Sequence, residues 1–159
     1  MAERNPRLWD SSSPHASLAP RLGFLSSWRR AGAQPRAARC GRCKAALGPI
    51  NAPIDVPDSA IFDRVVREAP VPVPVDFWGA WCGPCRMVAP EVARAATTLA
   101  GHALVLKVDT ERLPALAARY GVQGMPNFVV LDRGKVVQQR AGAMRHPALV
   151  QLVDGARAA

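Results

Sequence analysis

The 159-residue chain has no apolar run approaching the 18 or more residues that a bilayer-spanning helix takes, so no segment reads as a membrane span. Acidic residues are scarce at its start: residues 1–53 carry nine Lys or Arg against two Asp or Glu, which accounts for +7 of the whole chain's +9. Residues 54–159 carry twelve against ten, so the basic character belongs to the N-terminal part. Its arginines are scattered, without aromatic interleaving or a recognisable binding motif, and a solvated basic tail explains them better than a nucleic-acid partner. A secretory signal is also not expected. The apolar patch 22–28 is short, is broken by Gly23 and two serines, and has no small-residue cleavage pattern after it. Residues 11–42 share the Ser- and Arg-rich, acid-poor character of organellar transit peptides, but Glu3 and Asp10 interrupt the amphipathic basic start such peptides need. The expectation is a cytoplasmic protein, in a reducing compartment where cysteine pairs are catalytic or metal-binding rather than structural staples.

This length holds one ordinary domain and a tail. Residues 1–38 are rich in Ser, Pro, Ala and Arg and keep no period of 2.0 or 3.6, so they read as a disordered or loosely attached basic tail. Residues 39–50 form a compact Cys-x-x-Cys knuckle around Cys40 and Cys43, closed by a Gly-Pro turn. From residue 54 to 159 the pattern alternates between helix and strand. Asp58 or Ser59 caps a helix to about Ala69, 71–78 is a buried strand, and a helix from Pro84 to about Ala100 stops at Gly101. A second buried strand spans 103–109, and a short helix starts near Thr110 and ends near Tyr120. Strands 128–131 and 136–139 flank the hairpin signal Asp132-Arg133-Gly134-Lys135, and 147–157 closes as a helix. Helices between strands imply parallel pairing and the hairpin adds an antiparallel edge, giving a mixed α/β sheet with helices on both faces. No internal repeat is visible.

The chemistry concentrates in Val75-Asp76-Phe77-Trp78-Gly79-Ala80-Trp81-Cys82-Gly83-Pro84-Cys85-Arg86, where a strand runs into a Cys-x-x-Cys that opens a helix. Cysteines three apart on a helix share a face and can close a small disulfide ring without rearranging the fold. Cys82, ahead of the first turn, meets unpaired backbone N–H groups and the positive end of the helix dipole, which favour the nucleophilic thiolate. Cys85, inside the helix, is shielded and suited to resolve. Pro84 at an early helical position loses no hydrogen bond, and Gly83 leaves room for a substrate backbone. A Cys-x-x-Cys also serves zinc sites, but the strand before and the helix after fit a redox pair.

The same dodecamer resembles the active-site segment of the thioredoxins, and the resemblance extends from about residue 54 to the C-terminus. It implies the thioredoxin fold, a central mixed sheet flanked by helices, and a protein-disulfide reductase that works by thiol–disulfide exchange without a cofactor. It implies disulfide-bearing protein substrates and a partner thioredoxin reductase that is NADPH-dependent. Site residues follow position by position. Asp76 matches a buried acid, raised in pKa by desolvation and suited to relay a proton for Cys85. Lys107 matches the lysine that approaches this acid. Trp81 flanks the dithiol, Met125 and Pro126 match the cis-proline segment opposite it, and Gly142 matches the glycine bordering the substrate groove. Gly79 and Asn127 depart from the family's usual alanine and threonine.

The knuckle resembles that of the bacterial thioredoxin 2 group, whose zinc module uses two Cys-x-x-Cys pairs. Only Cys40 and Cys43 are present here, residues 1–37 contain no cysteine, and His15 is the sole other donor upstream, so the chain supplies half of a four-ligand zinc site. Two other readings compete with the reductase: an exported thiol oxidant or isomerase, and a non-enzymatic module binding metal or nucleic acid through the tail and knuckle.

Overall fold

A computed structural model of the chain describes residues 49–157. The basic tail and the knuckle, with Cys40 and Cys43, lie outside the described residues. Nine elements follow in the order β1 (Ile54–Asp55), α1 (Ser59–Glu68), β2 (Val73–Trp78), α2 (Gly83–Thr98), β3 (Leu106–Asp109), α3 (Pro114–Arg119), β4 (Asn127–Asp132), β5 (Lys135–Ala141) and α4 (His146–Arg157). The strands form one sheet in the order β1-β3-β2-β4-β5.

Local chemistry sets the element ends. Asp58 caps α1 by accepting the Ile61 N–H at 2.8 Å, the bond an N-cap carboxylate makes to an orphan donor of the first turn. The apolar residues three and four apart in α1 put Phe62, Val65 and Val66 on its buried face. At the hairpin, Arg133 and Gly134 take φ of 48° and 80°, the two positive values that a two-residue turn between right-twisted strands requires.

Alternation along the strands divides the core in two. Val75, Phe77, Leu106, Val108, Val129 and Leu131 face α1 and α3, packing with Phe62, Val65, Val66 and Leu116. Phe128 and Val130 face the other way, against Val88, Val92 and Ala95 of α2 and Leu149 and Val153 of α4. Phe62, Phe77 and Val129 are completely buried. Each such apolar side chain contributes about 1.5–3 kcal/mol of transfer free energy. Since Val75 and Phe77 look toward α1 and α3, the pleat turns Asp76 to the α2 side.

Four expectations from the sequence need correction. The strand β1 is missed by the periodicity, since a two-residue strand carries no period, yet it pairs in parallel with β3 through Ile54↔Leu106 and Asp55↔Lys107. The antiparallel part of the sheet is larger than a hairpin edge, because β4 runs antiparallel to β2 as well as to β5. The helix α3 joins β3 to β4, which are not neighbours, so it does not make a parallel pair. Finally, residues 110–113 form a turn, tied by the Leu113 N–H to Asp109 carbonyl bond, and the helix begins at Pro114. Proline suits that first helical position because its missing N–H would have had no partner there. Smaller shifts move the ends of α1 and α2 to Glu68 and Thr98 and the start of β3 to Leu106. Among the described residues no helix is long and apolar enough to cross a membrane.

Candidate active site

The loop from β2 to α2 carries the two cysteines. Cys82 is the N-cap of α2 and Pro84 stands in its first turn, as the sequence predicts. Cys82 and Cys85 are joined as a disulfide with Cα atoms 5.3 Å apart, and Cys82 Sγ accepts the Cys85 backbone N–H at 3.2 Å. That contact turns the Cys82 sulfur inward, so Cys82 is 4% exposed against 5% for Cys85. In the oxidised pair, then, Cys82 is as shielded as Cys85. The large apolar side chains exposed at this edge are Trp81 and Met87, while a side-chain carbon built on Gly83 would meet nothing within 4 Å. Open backbone beside an apolar rim suits the approach of an extended polypeptide.

The Met125–Pro126 peptide bond is cis, and the Gly142 N–H donates to the Pro126 carbonyl at 2.8 Å. Gly142 has φ of 98°, a region that side chains disfavour, so the strand exit beside Pro126 requires glycine. Thr110, which the sequence reading uses only as a helix start, ties this segment to the dithiol loop. Its Oγ1 lies 3.1 Å from both the Trp78 carbonyl oxygen and Met125 Sδ. Asn127 is buried and its Oδ1 accepts from Gln139 Nε2 at 3.2 Å.

Gly79 adds a third link. A Cβ placed on it would lie 3.2 Å from Trp81 Nε1 and 3.5 Å from Met125 Cε, so the missing side chain lets the indole and the thioether close over the loop. Trp81 is exposed and its ring can swing. Gly79→Ala is therefore expected to raise stability by about 0.4–1 kcal/mol through the lost freedom of the unfolded chain, while displacing the indole. Denaturant melts and the Trp81 indole N–H resonance check both parts; a destabilised variant with an unmoved resonance would contradict them.

On the α2 side of the sheet, Asp76 is 4% exposed, and its Oδ1 has no hydrogen-bond partner among the described residues. It borders a cavity of about 20 Å³ walled largely by the apolar side chains of Val92, Ala95, Phe128, Leu149 and Val153. Burial pushes its carboxyl up to about 7; the Lys107 ammonium pulls it back and Asp55 pushes it further up. Lys107 does not pair with Asp76. Its Nζ lies 3.4 Å from Asp55 Oδ1 and 4.4 Å from the centre of the Trp78 ring. Asp55 is thus a charged neighbour of the site that the sequence reading missed, because its strand carries no pattern.

The arrangement matches known proteins. The thioredoxin family model matches residues 52–155. The chain is 39% identical over 105 residues to thioredoxin 1 of Nostoc sp., covering 66% of this chain and 97% of that protein. It is 34% identical over 125 residues to the chloroplastic M-type thioredoxin of Chlamydomonas reinhardtii, covering 79% and 88%. Among solved structures, a mutant thioredoxin from Halobacterium salinarum NRC-1 superposes with a TM-score of 0.63 at 32% identity, over 69% of this chain and 95% of that one. With a mixed five-stranded sheet, a disulfide at the N-terminus of α2 and a family match over most of its described length, the chain belongs to the thioredoxin family and is a thiol–disulfide oxidoreductase whose redox pair is Cys82 and Cys85.

Proposed function

We propose that the chain reduces protein disulfides with Cys82 as the attacking sulfur, Cys85 as the resolving sulfur and Asp76 as the proton acceptor for Cys85. The Cys82 thiolate attacks one sulfur of a substrate disulfide, forming a mixed disulfide and releasing a substrate thiolate. Cys85 gives its proton to the Asp76 carboxylate and attacks Cys82 Sγ, releasing the second substrate thiolate. Two electrons have passed to the substrate, and the enzyme is left as the Cys82–Cys85 disulfide seen here. The observation that carries the reading is the position of Cys82 as the N-cap of α2, where orphan N–H groups and the helix dipole stabilise a sulfur anion. An acid near 7 supports the role of Asp76, since a base is most effective when its pKa lies near the working pH.

Trp81, Gly83 and Pro84 on one side and Met125, Pro126 and Gly142 on the other form the substrate groove in this reading, supported by the open space at Gly83 and the Gly142–Pro126 bond. Lys107 acts on Asp76 through its charge. The exchange needs no cofactor, the partners are disulfide-bearing proteins, and the electrons come back from an NADPH-dependent thioredoxin reductase in the cytoplasm. The Gly-Pro spacer supports a reductase over an exported oxidant or isomerase. Cys40 and Cys43 offer two of the four ligands that structural zinc takes and have no part in the exchange.

Insulin-disulfide reduction by the full chain tests this. With dithiothreitol, or with thioredoxin reductase and NADPH, the chain is expected to accelerate precipitation of the insulin B chain in proportion to its concentration. A rate equal to that of the reductant alone would overturn the reading.

A further inference from the structure

The sheet register places three charged residues in one row. Asp55 on β1 pairs with Lys107 on β3, which pairs in turn with Asp76 on β2, and side chains at partnered positions share a face. Between the two carboxylates, the Lys107 ammonium goes to the outer one. It forms its ion pair with Asp55 at 3.4 Å and lies over the Trp78 ring, while Asp76 Oδ1 stays buried and unpartnered among the described residues. Lys107 is only partly exposed whereas the Asp55 side chain is 72% exposed, so the ion pair stands at the solvent edge of the row. As a stabilising contact an exposed pair is worth little. Its consequence lies in where it leaves the ammonium.

We propose that Asp55 is a positioning residue for the redox site: by holding the Lys107 ammonium at the β1 edge of the sheet, it keeps Asp76 an unpaired carboxyl on the α2 side of the sheet. The inference rests on the proposed proton transfer between Cys85 and Asp76 and deepens it. The other surroundings of Asp76 leave few rivals for the role. From β4 its partner is Phe128, and the next residue in the row, Arg140 of β5, is exposed on the far side of that ring. From α2 come Val92 and Ala95, with the bonded Cys82 and Cys85 at the helix start, and from α4 come Leu149, Leu152 and Val153. Lys107 and Asp55 are thus the charged side chains that bear on this carboxyl, with opposite effects, and Asp55 supports its proton binding both by direct repulsion and by occupying Lys107.

Removing Asp55 should free the ammonium to turn toward Asp76 and favour the carboxylate. The titration midpoint of Asp76, read from its side-chain carboxyl carbon by NMR in the oxidised full chain, is expected to fall by about one pH unit in Asp55→Asn, the scale on which an approaching opposite charge acts. Asp55→Glu should restore most of it. In a Lys107→Met background the effect of Asp55→Asn should shrink to less than half, because the ammonium it would release is gone. An unchanged midpoint in Asp55→Asn, or the same fall with and without Lys107, would overturn the proposal. The pH profile of insulin reduction separates this from the underlying reading: if the midpoint moves and the acid limb of the profile moves with it, both stand. If the midpoint moves and the limb does not, the positioning role stands and the proton transfer to Asp76 fails.

Discussion

Cys82→Ser is expected to abolish insulin reduction, to the rate of the reductant alone, while Cys85→Ser is expected to lose turnover but accumulate a mixed disulfide with its substrate. The asymmetry follows from the two positions in the helix. Cys82 caps α2 and meets the unsatisfied N–H groups of its first turn, so its sulfur bears negative charge more readily and attacks first. Cys85 lies inside the helix and its backbone N–H is already given to Cys82 Sγ, which leaves it the second step. With serine at 82 no sulfur is placed to open the substrate disulfide. With serine at 85 the first step proceeds and the second has no nucleophile, so the intermediate persists. Full activity in Cys82→Ser, or a trapped species formed through Cys85, would contradict the assignment.

Asp76→Asn is expected to slow turnover and to stabilise the fold, a combination that separates a functional carboxyl from a structural one. As the residue is buried and its carboxyl lies at about 7 rather than near 3.8, ionising it in the folded protein is costly. Below the unfolded value both states are protonated and asparagine changes little. Between about 4 and about 7 the unfolded chain releases the proton that the folded chain retains, so native stability declines with rising pH; above 7 the loss levels off. A shift of about three units corresponds to a gain on the order of 4 kcal/mol for Asp76→Asn at pH 8, and to almost none at pH 3.5. Turnover is expected to drop by on the order of 10²-fold, the lower end of what a positioned base contributes. Denaturant melts at the two pH values and insulin reduction check both arms; a variant less stable than the parent at pH 8 would count against the buried carboxyl.

Much of this was legible in the residues themselves. An apolar strand interrupted by one acid, then two cysteines, a glycine and an early helical proline specify a strand, a helix start and a dithiol at the junction, because each rests on local chemistry within twelve residues. The cis bond before Pro126 came from the resemblance, as did the groove role proposed for Gly142, since nothing local to Met125 or Gly142 dictates either. What stayed hidden depends on partners far along the chain. Ile54 and Asp55 form a strand only because β3 offers an edge, and the antiparallel run of β4 beside β2 leaves no mark on periodicity, which carries spacing but not direction. The ion pair of Asp55 with Lys107 spans 52 positions, and the packing of Trp81 and Met125 over Gly79 needs a fold before the missing side chain acquires meaning.

Alkylation of the reduced full chain tests the central claim most directly. With limiting iodoacetamide near neutral pH and peptide mapping by mass spectrometry, Cys82 should be modified first and well ahead of Cys85, at a pH where an ordinary thiol, with a pKa of about 8.5, reacts slowly. Modification of Cys85 first, or of both cysteines together at the rate of an ordinary thiol, would contradict a nucleophile poised at the start of α2.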